Sequence, residues 1–167
     1  MSDNNIFENK ILDSDTTTDT LNEILKIHER CGLSKWTIKD YKNEFNRIDS
    51  RQVIVTILKT IVGFAVMRLI IPYQTNGNSN LFFEEAEIFN IAVDPKLQNR
   101  GVGKTLLEKL VAVSLSSGVK TIWLEVRESN YKATNFYKKN NFYYIYTRQN
   151  YYQSPSENAW IMKRNLE

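Results

Sequence analysis

The stretch from residue 88 to residue 110, IFNIAVDPKLQNRGVGKTLLEKL, most limits what this chain can fold into, because one kind of pattern ends in it and another begins. Ahead of it, QVIVTIL (52–58) and IVGFAVMRLIIPY (61–73) are rich in β-branched and aromatic residues and are joined by Lys59-Thr60, as in an antiparallel hairpin. The polar QTNGNSN (74–80) reads as a turn, after which FFEEAEIFNIAV (82–93) returns as a third strand. From residue 94 strands and helices alternate instead. Val102 to Ser117 carries a broad apolar stripe with Gly118 just beyond it. VKTIWLEVR (119–127) sets Ile122, Leu124 and Val126 on one face and Trp123, Glu125 and Arg127 on the other. Residues 129–140 read as a helix, and 142–152 and 157–164 as two aromatic strands. A meander followed by such alternation implies a mixed sheet with helices on both faces, an α/β (α+β) class.

Two helices precede the meander. The first runs from about Thr20, with Leu21, Ile24, Leu25 and His28 at helical spacing, and stops at Gly32. The second spans Thr37 to Arg47, opened by Thr37 and Asp40 as a capping box, with Ile38, Tyr41 and Phe45 on one face. Residues 6–12 are compatible with a short strand. The 167 residues read as one domain, 1–167, whose first fourteen belong to a frayed acidic tail.

Composition excludes several classes of function. Cys31 and His28 are the sole cysteine and histidine, which rules out a disulfide framework and a Cys/His zinc cluster, and no metal site is expected. As a nucleophile pair they sit three apart on a helix, and the plainer reading is a helix surface and its end. The net charge of +3 is not clustered as nucleic-acid binding requires. No apolar run reaches the roughly 18 residues of a membrane span. The N-terminus MSDNNIFENK lacks the basic and apolar segments of a secretory signal, so a cytoplasmic location is the default expectation.

The ending GVGKT looks like a nucleotide-gripping loop, but G-x-x-x-x-G-K-[ST] requires a glycine at position 98, which is Gln98. The dinucleotide fingerprint fails too, since position 106 is Leu106. What remains is a strand, a turn and two glycines, Gly101 and Gly103, opening an amphipathic helix, with Lys96, Arg100 and Lys104 around them. Close-approaching backbone N–H groups at a helix N-terminus suit an anion such as a pyrophosphate.

The pattern Q-x-x-G-x-G after a strand ending N-I-A-V-D-P resembles the coenzyme A loop of the GNAT superfamily of N-acetyltransferases. AEIFNIAVDPKLQNRGVGKTLLEKL, TIWLEVRESN, NFYKKNNF and RQNYY, in this order, resemble its RimI-like branch, the ribosomal protein alanine N-acetyltransferases, over about residues 86 to 152. The second helix resembles the family's more loosely, with Thr37 where the family has Ser. The resemblance implies a GNAT fold, with a mixed central sheet of about seven strands, about four helices, and a V-shaped splay between strands 4 and 5. It also implies acetyl transfer from acetyl-CoA to the N-terminal α-amine of a protein, an N-terminal alanine of a ribosomal protein in that branch, with no direct contact to nucleic acid or membrane. The protein would act as a monomer or weak dimer.

Acetyl transfer needs a base for the ammonium proton, donors for the carbonyl oxygen, and an acid for the leaving thiolate. The resemblance places the base at Glu125, with partial burial raising its proton affinity, and the acid at Tyr137. It places the pantetheine arm on the backbone of Ile91, Ala92 and Val93 and on Asn130. The pyrophosphate falls to Gln98, Asn99, Arg100, Gly101, Val102, Gly103 and Lys104, and the substrate's N-terminal residues to Tyr151 and Tyr152. Each position has a plainer role to weigh: an ion pair of Glu125 with Arg127 or a neighbouring lysine, core packing for Tyr137 beside an inward Phe136, edge packing for the tyrosine pair. Glu84, Glu85 and Glu87 also fall near the substrate side, where Glu87 competes with Glu125 as base. Asn141 stands where the family has glycine, at a left-handed helix end that asparagine tolerates. Acetylation of a lysine side chain or a small amine is the alternative activity, and a non-catalytic acyl-CoA-binding module or an NTPase are more distant ones.

Overall fold

The structure is a computed structural model describing residues 7–12, 16–33, 36–70 and 83–166. Its elements run β1 (Glu8–Ile11), α1 (Thr18–Arg30), α2 (Ile38–Phe45), β2 (Ser50–Ile57), β3 (Thr60–Ile70), β4 (Glu85–Val93), a 3-10 turn (Pro95–Leu97), α3 (Val102–Ser116), β5 (Thr121–Arg127), α4 (Tyr131–Lys139), β6 (Tyr143–Gln153) and β7 (Ser156–Asn165). The strands form a seven-stranded sheet in the order β1-β2-β3-β4-β5-β7-β6. It is mixed, as the change of pattern at residue 94 requires: β4 and β5 are parallel, and the β1–β2, β2–β3, β5–β7 and β6–β7 pairs are antiparallel. The expected turn at 74–80, and most of the acidic tail, lie outside the described residues.

The chain divides into two compact units, Met1–Arg68 with Asn90–Val113, and Leu69–Phe89 with Ser114–Glu167. In the first, α1 and α2 lay Leu21, Ile24, Ile27 and Tyr41 against Ile54, Phe64 and Val66 of the β2–β3 hairpin. Thr37 and Asp40 form the capping box at the start of α2. The hairpin turn is Leu58-Lys59, one residue earlier than expected. Both residues have positive φ, the geometry that matches strand twist, although neither is the glycine or asparagine that announces it. Gly63 of β3 lets α3 approach closely, since a Cβ there would lie 3.0 Å from the Ala92 carbonyl oxygen and from Val102 Cγ1.

His28 corrects the sequence reading. It is buried, with Nδ1 2.8 Å from the Tyr41 hydroxyl and its ring stacked on Phe64. The Cys31 thiol donates to the Val93 carbonyl, and burial pushes its pKa up, the opposite of an activated nucleophile.

In the second unit, Ile122, Leu124 and Val126 of β5 are buried and Thr121, Trp123, Glu125 and Arg127 are half-buried, as the alternation foretold. α4 ends in a full Schellman motif. Phe142 N–H donates to Tyr137 C=O and Asn141 N–H to Lys138 C=O, while Asn141 takes φ of 65°. Asparagine thus takes the left-handed helix-end position that glycine most often fills.

Candidate active site

The first unit carries the loop. β4 ends at Val93, and the Gln98 side-chain amide returns to donate to the Val93 carbonyl at 3.1 Å, tying the loop to the strand it leaves. Asp94 accepts from Lys96 N–H and pairs with Arg30, which hold its carboxyl below the usual range. Asn99 and Gly101 then take positive φ, 62° and 92°, and the chain enters α3. Asn99, Arg100, Gly101 and Lys104 are exposed and Gly103 is half-buried, whereas the Val102 side chain is buried and leaves only its backbone to the loop. Lys104 lies 3.7 Å from Glu108 one turn on, a solvent-facing pair. A helix N-terminus with cations beside it attracts anions.

The β4–β5 ladder runs from Glu85↔Thr121 to Ile88↔Leu124, after which β4 continues to Val93 and β5 to Arg127. Ile91, Ala92 and Val93 lie in β4 beyond the Ile88↔Leu124 pair.

The second unit gathers the residues expected to do the chemistry. Glu125 projects from the half-buried face of β5, with its side chain 20% exposed. Its ion-pair partner is Arg148 of β6, Nη1 to Oε1 at 2.9 Å, and not Arg127. The guanidinium of Arg148 also lies 4.3 Å from the centre of the Tyr151 ring. Tyr151 is pushed up to about 12, first by its hydrogen bond with Glu125, then by burial and the negative charge of that carboxylate. Tyr152 meets Tyr151 edge-on at 5.1 Å, and burial, with Glu125 nearby, raises its pKa too.

Arg127 serves the loop between β6 and β7. It donates to the carbonyls of Ser154 and Pro155, pairs with Glu157 at 2.9 Å, and stacks 4.0 Å above the Tyr152 ring. Glu157 in turn accepts from Ser129 N–H, which joins the loop to the end of β5. Sequence reasoning missed both arginines as structural partners of the tyrosine pair. RQNYY contained the signal for one, an arginine three residues before a tyrosine, but only the strand pairing shows which carboxylate it reaches.

Tyr137 sits where the Schellman turn closes on it, edge-on to Phe142 at 5.6 Å, and burial, with Tyr152 nearby, raises its pKa. It is more buried than Phe136, which is only half-buried. Asn130 is the N-cap of α4, its carbonyl oxygen accepting from Ala133 N–H at 3.1 Å, so that only its amide nitrogen is left to donate elsewhere. The acidic residues at the start of β4 are placed as well. Glu84 pairs with Lys120, Glu85 accepts from the Trp123 indole, and Glu87 stands opposite Trp123 in the ladder.

No helix of the described residues is long and apolar enough to cross a membrane. Residues 21–142 match the model of the acetyltransferase (GNAT) family. The chain is 35% identical over 144 residues to the ribosomal protein bS18-alanine N-acetyltransferase of Haemophilus influenzae, covering 83% of this chain and 88% of that protein. Its structure resembles the crystal structure of the ribosomal-protein-S18-alanine N-acetyltransferase from Escherichia coli, with a TM-score of 0.77 and 30% identity over 96% of this chain and 95% of the other. Ard1 from Thermoplasma volcanium is similar with a TM-score of 0.75 and 25% identity, over 95% of this chain and 98% of that one.

Proposed function

The chain belongs to the acetyltransferase (GNAT) family, and on that premise we propose that it transfers the acetyl group of acetyl-CoA to the N-terminal α-amine of a protein, an N-terminal alanine of a ribosomal protein, as the names of its Haemophilus and Escherichia coli relatives describe. The observation that carries the reading is the grouping of Glu125, Tyr151 and Tyr152, in which Arg148 lies 2.9 Å from Glu125 and 4.3 Å from the Tyr151 ring and that ring meets Tyr152 at 5.1 Å, together with the buried phenol of Tyr137 on the following helix. One carboxylate and one retained phenolic proton are the base and acid that acyl transfer to an amine requires.

Acetyl-CoA supplies an activated thioester, and the chain's own groups do the rest. The amides at the start of α3, with Arg100 and Lys104, hold the pyrophosphate, and Gly101 leaves the backbone accessible there. The backbone N–H groups of Ile91, Ala92 and Val93 pair with the pantetheine arm and the thioester carbonyl, and the Asn130 amide donates to the same arm. Glu125 takes a proton from the incoming ammonium, directly or through water. A terminal α-amine titrates near pH 8, so a modest base suffices. Tyr137 gives its proton to the departing thiolate, and the second proton lost by the acylated nitrogen passes to solvent, from which the phenol is reprotonated. Tyr151 and Tyr152 flank the first residues of the peptide. All of this falls within one catalytic domain that acts in the cytoplasm on a protein substrate, without a resident metal.

The test is kinetic. With acetyl-CoA saturating, Glu125→Gln and Tyr137→Phe should each lower kcat by about 10²–10⁴-fold. Near wild-type turnover in both would remove these residues from the mechanism.

A further inference from the structure

Arg148 stands where no acid–base step needs it. Its guanidinium lies 2.9 Å from Oε1 of Glu125 and 4.3 Å from the Tyr151 ring centre, reaching across β7 from β6 to β5. The other guanidinium on this face, Arg127, is matched by Glu157. Each of these two guanidinium groups therefore has a carboxylate partner, and the phenols of Tyr151 and Tyr152 beside Glu125 have raised pKa values.

We propose that Arg148 is a specificity-determining residue that makes the enzyme prefer a terminal α-amine over a lysine-like amine. The inference rests on Glu125 being the base. A lone carboxylate attracts any ammonium and holds most strongly the one that stays charged. With a guanidinium already against it, a permanently charged amine gains little and meets a like charge. An α-amine, with a pKa of about 8, offers a large neutral fraction near neutral pH, whereas a lysine amine near 10.4 offers almost none. Arg148 thereby penalises the second more than the first. Its cation–π contact fixes the guanidinium on Tyr151, so the discrimination is built into the ring proposed to flank the peptide.

The experiment compares two peptides of one sequence with acetyl-CoA and the full chain. One has a free N-terminal alanine and no lysine, and the other has a blocked N-terminus and a single lysine. The readout is the ratio of their kcat/KM values, which a loss of folded protein leaves unchanged. Arg148→Gln should lower the α-amine preference by about tenfold. Arg148→Lys, which keeps the charge, should stay close to the wild-type ratio. A Gln variant with the wild-type ratio overturns the proposal, as does a Lys variant that loses preference as fully as Gln. Wild-type protein that leaves the alanine peptide unmodified overturns the α-amine reading itself and this inference with it.

Discussion

Gly101 and Glu125 each lend themselves to a single-residue test. Gly101 holds φ of 92°, a region costly for residues with a side chain, by about 1–2 kcal/mol. Gly101→Ala should therefore distort the entry to α3 and raise the KM for acetyl-CoA several-fold while leaving the peptide KM in place. Initial-rate measurements varying each substrate in turn would show it, and an unchanged acetyl-CoA KM would remove the loop from cofactor binding. Glu125 also governs the titration of its neighbour. Its hydrogen bond is the first cause of the high Tyr151 pKa, so Glu125→Gln should draw that titration down from about 12 towards the ordinary 10.0, as read from tyrosinate absorbance. The arithmetic of proton linkage makes this a stability statement too. Between those values the folded chain keeps a proton that the unfolded chain has released, so stability falls as pH rises, and it should fall less in the Gln variant.

Among the elements, α2 and the strands beside it offer the sharpest test of packing. Glu44 of α2 is almost fully buried and accepts from Arg68 of β3 and from Ser50 of β2. Burial opposes its charge, but the hydrogen bonds and positive charges of Arg68 and its neighbours outweigh that and lower its pKa. The contribution is complete above the ordinary carboxylate value and is lost as pH falls through the depressed folded one. Wild-type protein should thus lose stability in acid, and Glu44→Gln should flatten that dependence, measured by urea unfolding at about pH 7 and about pH 4. Arg68→Ala, which strands the carboxylate, should cost about 3 kcal/mol. A loss of only a few tenths would mean that the pair is no more than a surface contact.

These elements also show what a sequence reveals. Alternation placed Glu125 on the correct face of β5, and the capping box at Thr37 marked where α2 begins, because both signals are local. The Arg148–Glu125 pair was hidden because β6 and β5 are separated by β7, and because the irregular register between Arg148 and Tyr152 re-aims the side chains. His28 was read as surface for a related reason. Helical spacing puts it on the apolar stripe, but only Tyr41 and Phe64, brought in by two other elements, make it a satisfied core residue. The Leu58-Lys59 turn had no glycine to announce it.

For the whole molecule, one unit carries the loop proposed to hold the pyrophosphate and the other carries Glu125, Tyr137, Tyr151 and Tyr152, while β4 and α3 each run from one unit into the other. The measurement that bears most directly on the account is mass spectrometry of a panel of N-terminal hexapeptides, alike except at the first residue, incubated with the protein and acetyl-CoA. The alanine-starting peptide that carries the ribosomal protein's sequence should gain one acetyl group, on its α-amine. Modification only of lysine side chains or free small amines, with every N-terminus left intact, would contradict it.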